Sequence, residues 1–248
     1  MSDASIAKPQ SSWSLLAGMV DRPSAALAEI IARPRWRWVL PVTLAILAAL
    51  ASAVVTAPFL AVEAKQQMAA VLNRMSADQL AQMPVQMATF QTPLFVGASA
   101  ALTGILALLI GYLLRAAALY FGSLIAGGDI EFSRIFVAVP WLGLPFVLET
   151  IVQTLYVAMK GTLIANQGLS YLVSSGNRTT DAGSLAYAAL GMITLFWLWH
   201  LVLVFKFLRV GPRLSQGAAF AVTLLYAATN VGVRAGFAAL SRLVSPPV

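Results

Sequence analysis

The chain has 248 residues, 60% hydrophobic and 10% charged, with a mean hydropathy of +0.83 and a formal net charge of +7. An ordinary soluble domain, about 25% charged, is excluded, and an integral membrane protein is indicated. With no cysteine and one histidine, disulfides, thiol nucleophiles and histidine-cluster zinc sites are excluded too, and no cofactor is expected.

Residues 1–37 read as a cytoplasmic N-terminal segment. Apolar residues recur at helical spacing from Ser11 to Ile31, interrupted by Pro23. Trp13, Leu16 and Val20 share one face, and Leu27, Ile30 and Ile31 another. Two short amphipathic helices in the headgroup region are expected, with Asp21, Arg22 and Glu29 left in water. The stretch RPRWRWVLP then sets Arg33, Arg35, Trp36, Arg37 and Trp38 where hydrocarbon begins, as an interfacial anchor.

Five runs are long enough to cross a hydrocarbon core of about 30 Å as helices. They cover residues 38–62, 94–114, 135–159, 182–208 and 214–233, giving a transmembrane domain over 38–240 and a short tail, 241–248. The runs do not alternate as barrel strands do. The expected fold class is an all-α integral membrane protein: a five-transmembrane-helix bundle with N-terminal interfacial amphipathic helices. The small-residue stretch Ala51–Ala53 resembles a cleavage pattern, but the apolar run continues past it. The loop 63–93 holds a capping box at Ser76–Gln79. The second span runs without breakers past Arg115 to Gly127 and Gly128. Gly97, Gly104 and Gly111, and Gly232 with Gly236, are expected at close helix contacts.

The basic residues flank the spans, so membrane lipid rather than nucleic acid is the expected partner. Lys8, Arg22, Arg33, Arg35, Arg37, Arg115, Arg134, Lys206, Arg209 and Arg213 fall on one side, and Lys65, Arg74, Lys160, Arg178, Arg234 and Arg242 on the other, ten against six of sixteen. An odd number of spans with this bias places the N-terminus in the cytoplasm and the C-terminus outside.

The stretch LIAGGDIEFSRIFVAVPWLGLPFVLETIV, Leu124 to Val152, has a glycine pair, a polar residue, a phenylalanine, a basic residue and then a span that begins with proline. Together with RPSAALAEIIARPRWRWVLP, Arg22 to Pro41, and the five-span layout, it resembles the bacterial branch of the Yip (Ypt-interacting protein) family. The resemblance implies a five-helix membrane protein with a cytoplasmic N-terminus and no established enzymatic activity, and an enzyme is not expected. Eukaryotic relatives bind small GTPases in vesicle traffic, but their aspartate-leucine-tyrosine-glycine-proline motif is absent here. Composition and resemblance together suggest a bacterial inner membrane.

Four intramembrane polar residues stand out: Glu149, His200, Asn230 and Arg234. Intramembrane ionisable groups are rare, costly and usually functional. At 1.5 Å per residue, Glu149 lies about 21 Å from Ile135 and Asn230 about 22 Å from Ser215, whereas His200 is only about 12 Å from Leu208. Depth therefore favours Asn230 and Arg234 over His200 as partners for Glu149. A fastener role, with Glu149 locking helices together, is preferred to a proton-linked site with His200, because one carboxylate and one histidine make a thin relay. The small-residue sequence GASA, Gly97–Ala100, with His200 faintly resembles an intramembrane serine protease dyad, but no oxyanion donor accompanies it. The expected function is a non-catalytic scaffold or accessory subunit of a membrane assembly, partnered by another membrane protein, a transporter complex or a second copy. The alternative is a small proton-coupled carrier using Glu149.

Overall fold

In the computed structural model, residues 10–73, 92–177, 180–181 and 183–244 are described, and every regular element among them is helical. The capping box at Ser76–Gln79, together with Lys8, Arg74 and Arg178, lies outside them. Ser11 opens α1, Ser12–Asp21, by accepting the Ser14 amide at 3.1 Å. Pro23 starts α2, Pro23–Ala32, at the position where a missing amide costs nothing. A 3-10 turn at Arg35–Trp38 leads into α3, Val39–Leu72, and Thr92 caps α4, Pro93–Ile125. Helix α4 ends at Ala126, followed by Gly127 at φ +79, so the glycine pair does stop it.

The third expected span is two helices, α5, Phe132–Leu142, and α6, Leu144–Lys160, joined at Gly143. Pro145 has no amide to give, and the Phe146 amide turns to the Gly143 carbonyl at 3.0 Å, which leaves the Leu142 carbonyl for another partner.

Among the described residues, four segments are long and apolar enough to cross a membrane: Arg35–Gln66, Pro93–Ile125, Phe132–Lys160 and Gln216–Leu240. The run 182–208 is not a continuous helix. Its first part forms a short helix, α7, Leu185–Leu190, which stops at Gly191; Thr194 then caps α8, Leu195–Val210, by accepting the Trp197 amide at 3.0 Å. Apolarity alone did not show this break, because Gly191 and Thr194 act through local capping rather than polarity. The described residues among 161–194 form a cap over one end of the bundle, called distal here. The cap is tight at Gly168, φ +52, where a Cβ would stand 2.7 Å from the Ile193 carbonyl oxygen. Asp181 accepts the Ser175 amide at 2.8 Å and the Ser174 hydroxyl at 2.7 Å, bonds that hold its carboxyl below the usual carboxylate range. Helix α9, Gln216–Val244, closes the bundle.

The opposite, proximal end is where α1 and α2 sit, folded into the bundle rather than lying apart from it. Leu15, Leu27 and Ile30 are each 0% exposed, packed with Ile135 and Trp141 of α5 and Phe207 of α8. The expected face Leu27, Ile30 and Ile31 is buried. On α1 the buried pair is Leu15 and Met19, while Trp13 and Val20 remain exposed, so the bundle is met one residue around the helix from the expected face. Glu29 does not remain in water: Arg33 and Arg37 approach it at 3.6 and 3.5 Å, and Arg37 also donates to the Gln10 carbonyl at 2.6 Å. Trp36 and Trp38, with ring centroids 6.4 Å apart, stay 77% and 37% exposed.

Candidate functional site

Glu149, His200, Asn230 and Arg234 all line one cavity of about 250 Å³ in the distal half of the bundle. Helix α6 brings Glu149 and Gln153, a helical turn apart; α8 brings His200; α9 brings Asn230 and Arg234 on one face; and the cap brings Gln167. Arg234 and Gln167 are exposed and meet at 3.5 Å at the mouth. Deeper in, the walls become aromatic.

His200 is 2% exposed and has both nitrogens committed. Nδ1 lies 2.7 Å from the Leu142 carbonyl, the one freed by the break at Gly143. A carbonyl only accepts, so Nδ1 carries the proton, and in the neutral ring Nε2 accepts from the Tyr226 hydroxyl at 2.9 Å. Asn230 continues the chain by donating to the Tyr226 carbonyl at 2.7 Å. The histidine is therefore a fastener across three helices, α5, α8 and α9. It does not contact Glu149, nor does it pair with Ser99, whose hydroxyl donates to the Val96 carbonyl of its own helix at 3.0 Å.

Glu149 meets the expected interhelical partners only through Thr194 of α8 and the nearby charge of Arg234. Among the described residues it forms no ion pair, with Arg234 or any other cation. Its surroundings are the Gln153 amide, a long 3.5 Å away on its own helix, the Thr194 hydroxyl at the start of α8, and Arg234, which acts on it electrostatically without an ion-pair contact. Thr194 places the carboxyl near the N-terminus of α8, the end that favours negative charge.

Arg115 is the residue that sequence reasoning misplaced. Counted as the edge of a loop, it instead lines the cavity, because α4 continues ten residues past it and buries Ala116, Leu119 and Ser123 in the core. Its guanidinium lies 5.0 Å from the centroid of Phe146, whose ring packs 4.7 Å from His200. Among the described residues Arg115 makes no hydrogen bond or ion pair, although it carries five donors. The unbroken apolar run beyond Arg115 was the available signal. Two guanidinium groups and one carboxylate give the cavity a net positive charge.

The Yip1 domain family model matches residues 17–233. The chain belongs to the Yip1 domain family. The match includes α1 from Ala17 onward, α2 and every helix that lines the cavity, α9 as far as Val233, so it takes in most of the proximal core and of the polar cavity and leaves Leu15 and Arg234 just outside. No curated protein and no solved structure gives a significant match.

Proposed function

We propose that this Yip1 domain protein binds a solute within the membrane, as a carrier or the ligand-binding component of a transport assembly, and has no catalytic chemistry of its own. One observation carries the reading: Arg115 and Glu149 face a common cavity inside the bundle, and neither has an ion-pair partner among the described residues. Charges kept in hydrocarbon for stability alone pair with each other or with backbone groups, whereas charges along a solute path face a cavity.

The fifth crossing in this reading is α8. Its 16 residues extend about 24 Å at 1.5 Å each, with Thr194 by Glu149 at one end and Gly211 against Ile31 and Ile130 at the other. Residues 161–194 would cap the noncytoplasmic side of a bacterial inner membrane. Arg33, Arg35, Arg37, Arg134 and Arg213 at the proximal end support a cytoplasmic N-terminus.

The cysteine-free chain gives a direct test. Gln153→Cys should react, in intact membranes, with small charged thiol reagents, and faster with an anionic reagent than with a cationic one of equal size. A thiol that reacts only after unfolding would refute an accessible polar site. The scaffold reading has its own support in the exposed Trp13 and Trp36 at the proximal end. It predicts that Trp13→Ala with Trp36→Ala abolishes recovery of a membrane partner in mild detergent while Gln153→Cys reactivity is unchanged.

A further inference from the structure

A second cavity, about 240 Å³, adjoins the polar one and shares Arg115, Phe146 and Thr150 with it. Its other walls are mostly apolar: the small Ala45 and Ala49 of α3 and Gly104, Ala107 and Gly111 of α4, with the larger Leu108, Tyr112 and Val147 beside them. The glycine series on α4 thus serves two purposes. At Gly97 an added Cβ would stand 2.9 Å from the Ala57 Cβ, which is close helix packing; at Gly104 and Gly111 it would meet nothing within 4 Å. These two glycines keep a slot open rather than drawing helices together. Gly104 and Ala107 lie on the exposed face of α4, so the slot opens sideways toward the lipid surface.

A small hydrophilic solute has no use for such a slot. An apolar cavity of about 150 Å³ stays dry and takes up benzene, and this one is larger, with the Arg115 guanidinium, which makes no hydrogen bond or ion pair among the described residues, at its inner end. The geometry points to an anionic amphiphile as the ligand: a single hydrocarbon chain in the slot beneath Gly104 and Gly111, with its carboxylate or phosphate head on Arg115. This rests on the reading of the polar cavity as a binding site. Charge complementarity selects the head, because Arg115 and Arg234 outnumber Glu149 and Arg115 sits where the two cavities join. The lateral opening supplies an entry route from the bilayer that does not drag a chain through water. Thr150 does not compete for the head, since its hydroxyl already donates to the Phe146 carbonyl at 2.9 Å.

The test uses the full chain in phosphatidylcholine nanodiscs titrated with radiolabelled laurate, with empty discs subtracted and affinity expressed as mole fraction in the lipid. Dodecyl phosphate should compete for one saturable site per protein, and dodecyltrimethylammonium should not. Arg115→Gln should weaken laurate by about tenfold or more, the scale of one charge-assisted hydrogen bond, and Arg115→Lys should recover most of the loss. Gly104→Leu and Gly111→Leu, built independently into open space and checked by thermal unfolding, should each displace the chain and weaken laurate while Gln153→Cys reactivity persists. Laurate binding indifferent to Arg115→Gln or to the glycine variants overturns the proposal. If inorganic phosphate protects Gln153→Cys as well as laurate does, and the glycine variants are neutral, the ligand is a free anion. Loss of a crosslinked dimer in Gly104→Leu with laurate unaffected assigns this face to a second copy instead. Absent laurate binding with an accessible Gln153→Cys removes the amphiphile and leaves the solute site standing; absence of both removes the two together.

Discussion

At the proximal end Leu15, Leu27, Trp141 and Phe207 are each 0% exposed, and the Trp141 indole donates to the Arg37 carbonyl at 3.0 Å, so apolar area is buried and the polar atom is matched. Toward the distal end α4, α6, α8 and α9 surround Arg115, Glu149 and Arg234 instead, with few of their polar groups matched to one another. Helices α4, α8 and α9 contribute to both regions, and hydropathy alone does not separate them. The difference arises where the chain is interrupted: Gly143 frees a carbonyl, and Gly191 with Thr194 ends the fourth apolar run before it fills the distal half. The lesson is that stability and binding chemistry are separated along the bundle, with the short N-terminal helices on the side of stability.

The largest expected effect breaks the filled end. Leu27→Ala leaves a cavity among α2, α5 and α8 and should cost about 2–5 kcal/mol, read as a lower unfolding temperature in detergent; an effect no larger than that of an exposed Val20→Ala would show that α2 merely rests on the bundle. Next comes the polar fastener between the two regions. His200→Phe leaves the Leu142 carbonyl and the Tyr226 hydroxyl without partners and should cost about 1–2 kcal/mol; Tyr226→Phe, which orphans only Nε2, should cost less. Equal costs would mean that the Leu142 contact contributes nothing.

A sharper comparison runs along α4 alone. Gly97→Ala pushes a methyl against Ala57 and should destabilise by about 1 kcal/mol or more, whereas Gly104→Ala enters open space and should be neutral or stabilising by up to about 1 kcal/mol through helix propensity. The same sign and size at both positions would remove the distinction between packing glycines and slot glycines. The smallest effect on stability is expected at Glu149. Glu149→Gln should be nearly neutral and Glu149→Leu should cost about 0.6 kcal/mol, the mean for a membrane hydrogen bond, because Thr194 is its main partner. Both variants should raise the preference of Gln153→Cys for the anionic over the cationic thiol reagent, and a fall in that ratio would contradict the charge assigned to the cavity.

Much of this was legible beforehand. The apolar runs located the starts of the four long apolar segments to within about three residues but ended three of them about ten residues early, Gly127 and Gly128 stopped α4, and the four polar residues singled out all line one cavity. Depth counting set His200 apart from Glu149, and the two line the same cavity without a hydrogen bond between them. It could not show that His200 was satisfied, because the carbonyl that receives Nδ1 exists as a free acceptor only through the irregular turn at Gly143. Nor did it find Arg115, since the length of an apolar run does not reveal where a helix enters a core. Spacing gave α1 an apolar face through Trp13, but Leu15 and Met19 lie near the same stripe, and the contact with α2 chose between them.

Sequence by itself determined that the chain is helical, where its long helices lie and which residues carry charge into them, because hydropathy, proline and glycine act locally on the backbone. Only the tertiary structure decided that Arg234 shares a cavity with Glu149 without an ion-pair contact, that Arg115 belongs to that cavity, and that Gly104 and Gly111 guard space while Gly97 closes it. Successive helical side chains are rotated by about 100°, so small differences in helix rotation, or a break such as Gly143, decide which of them face one another, and no single segment encodes the orientation of its neighbours.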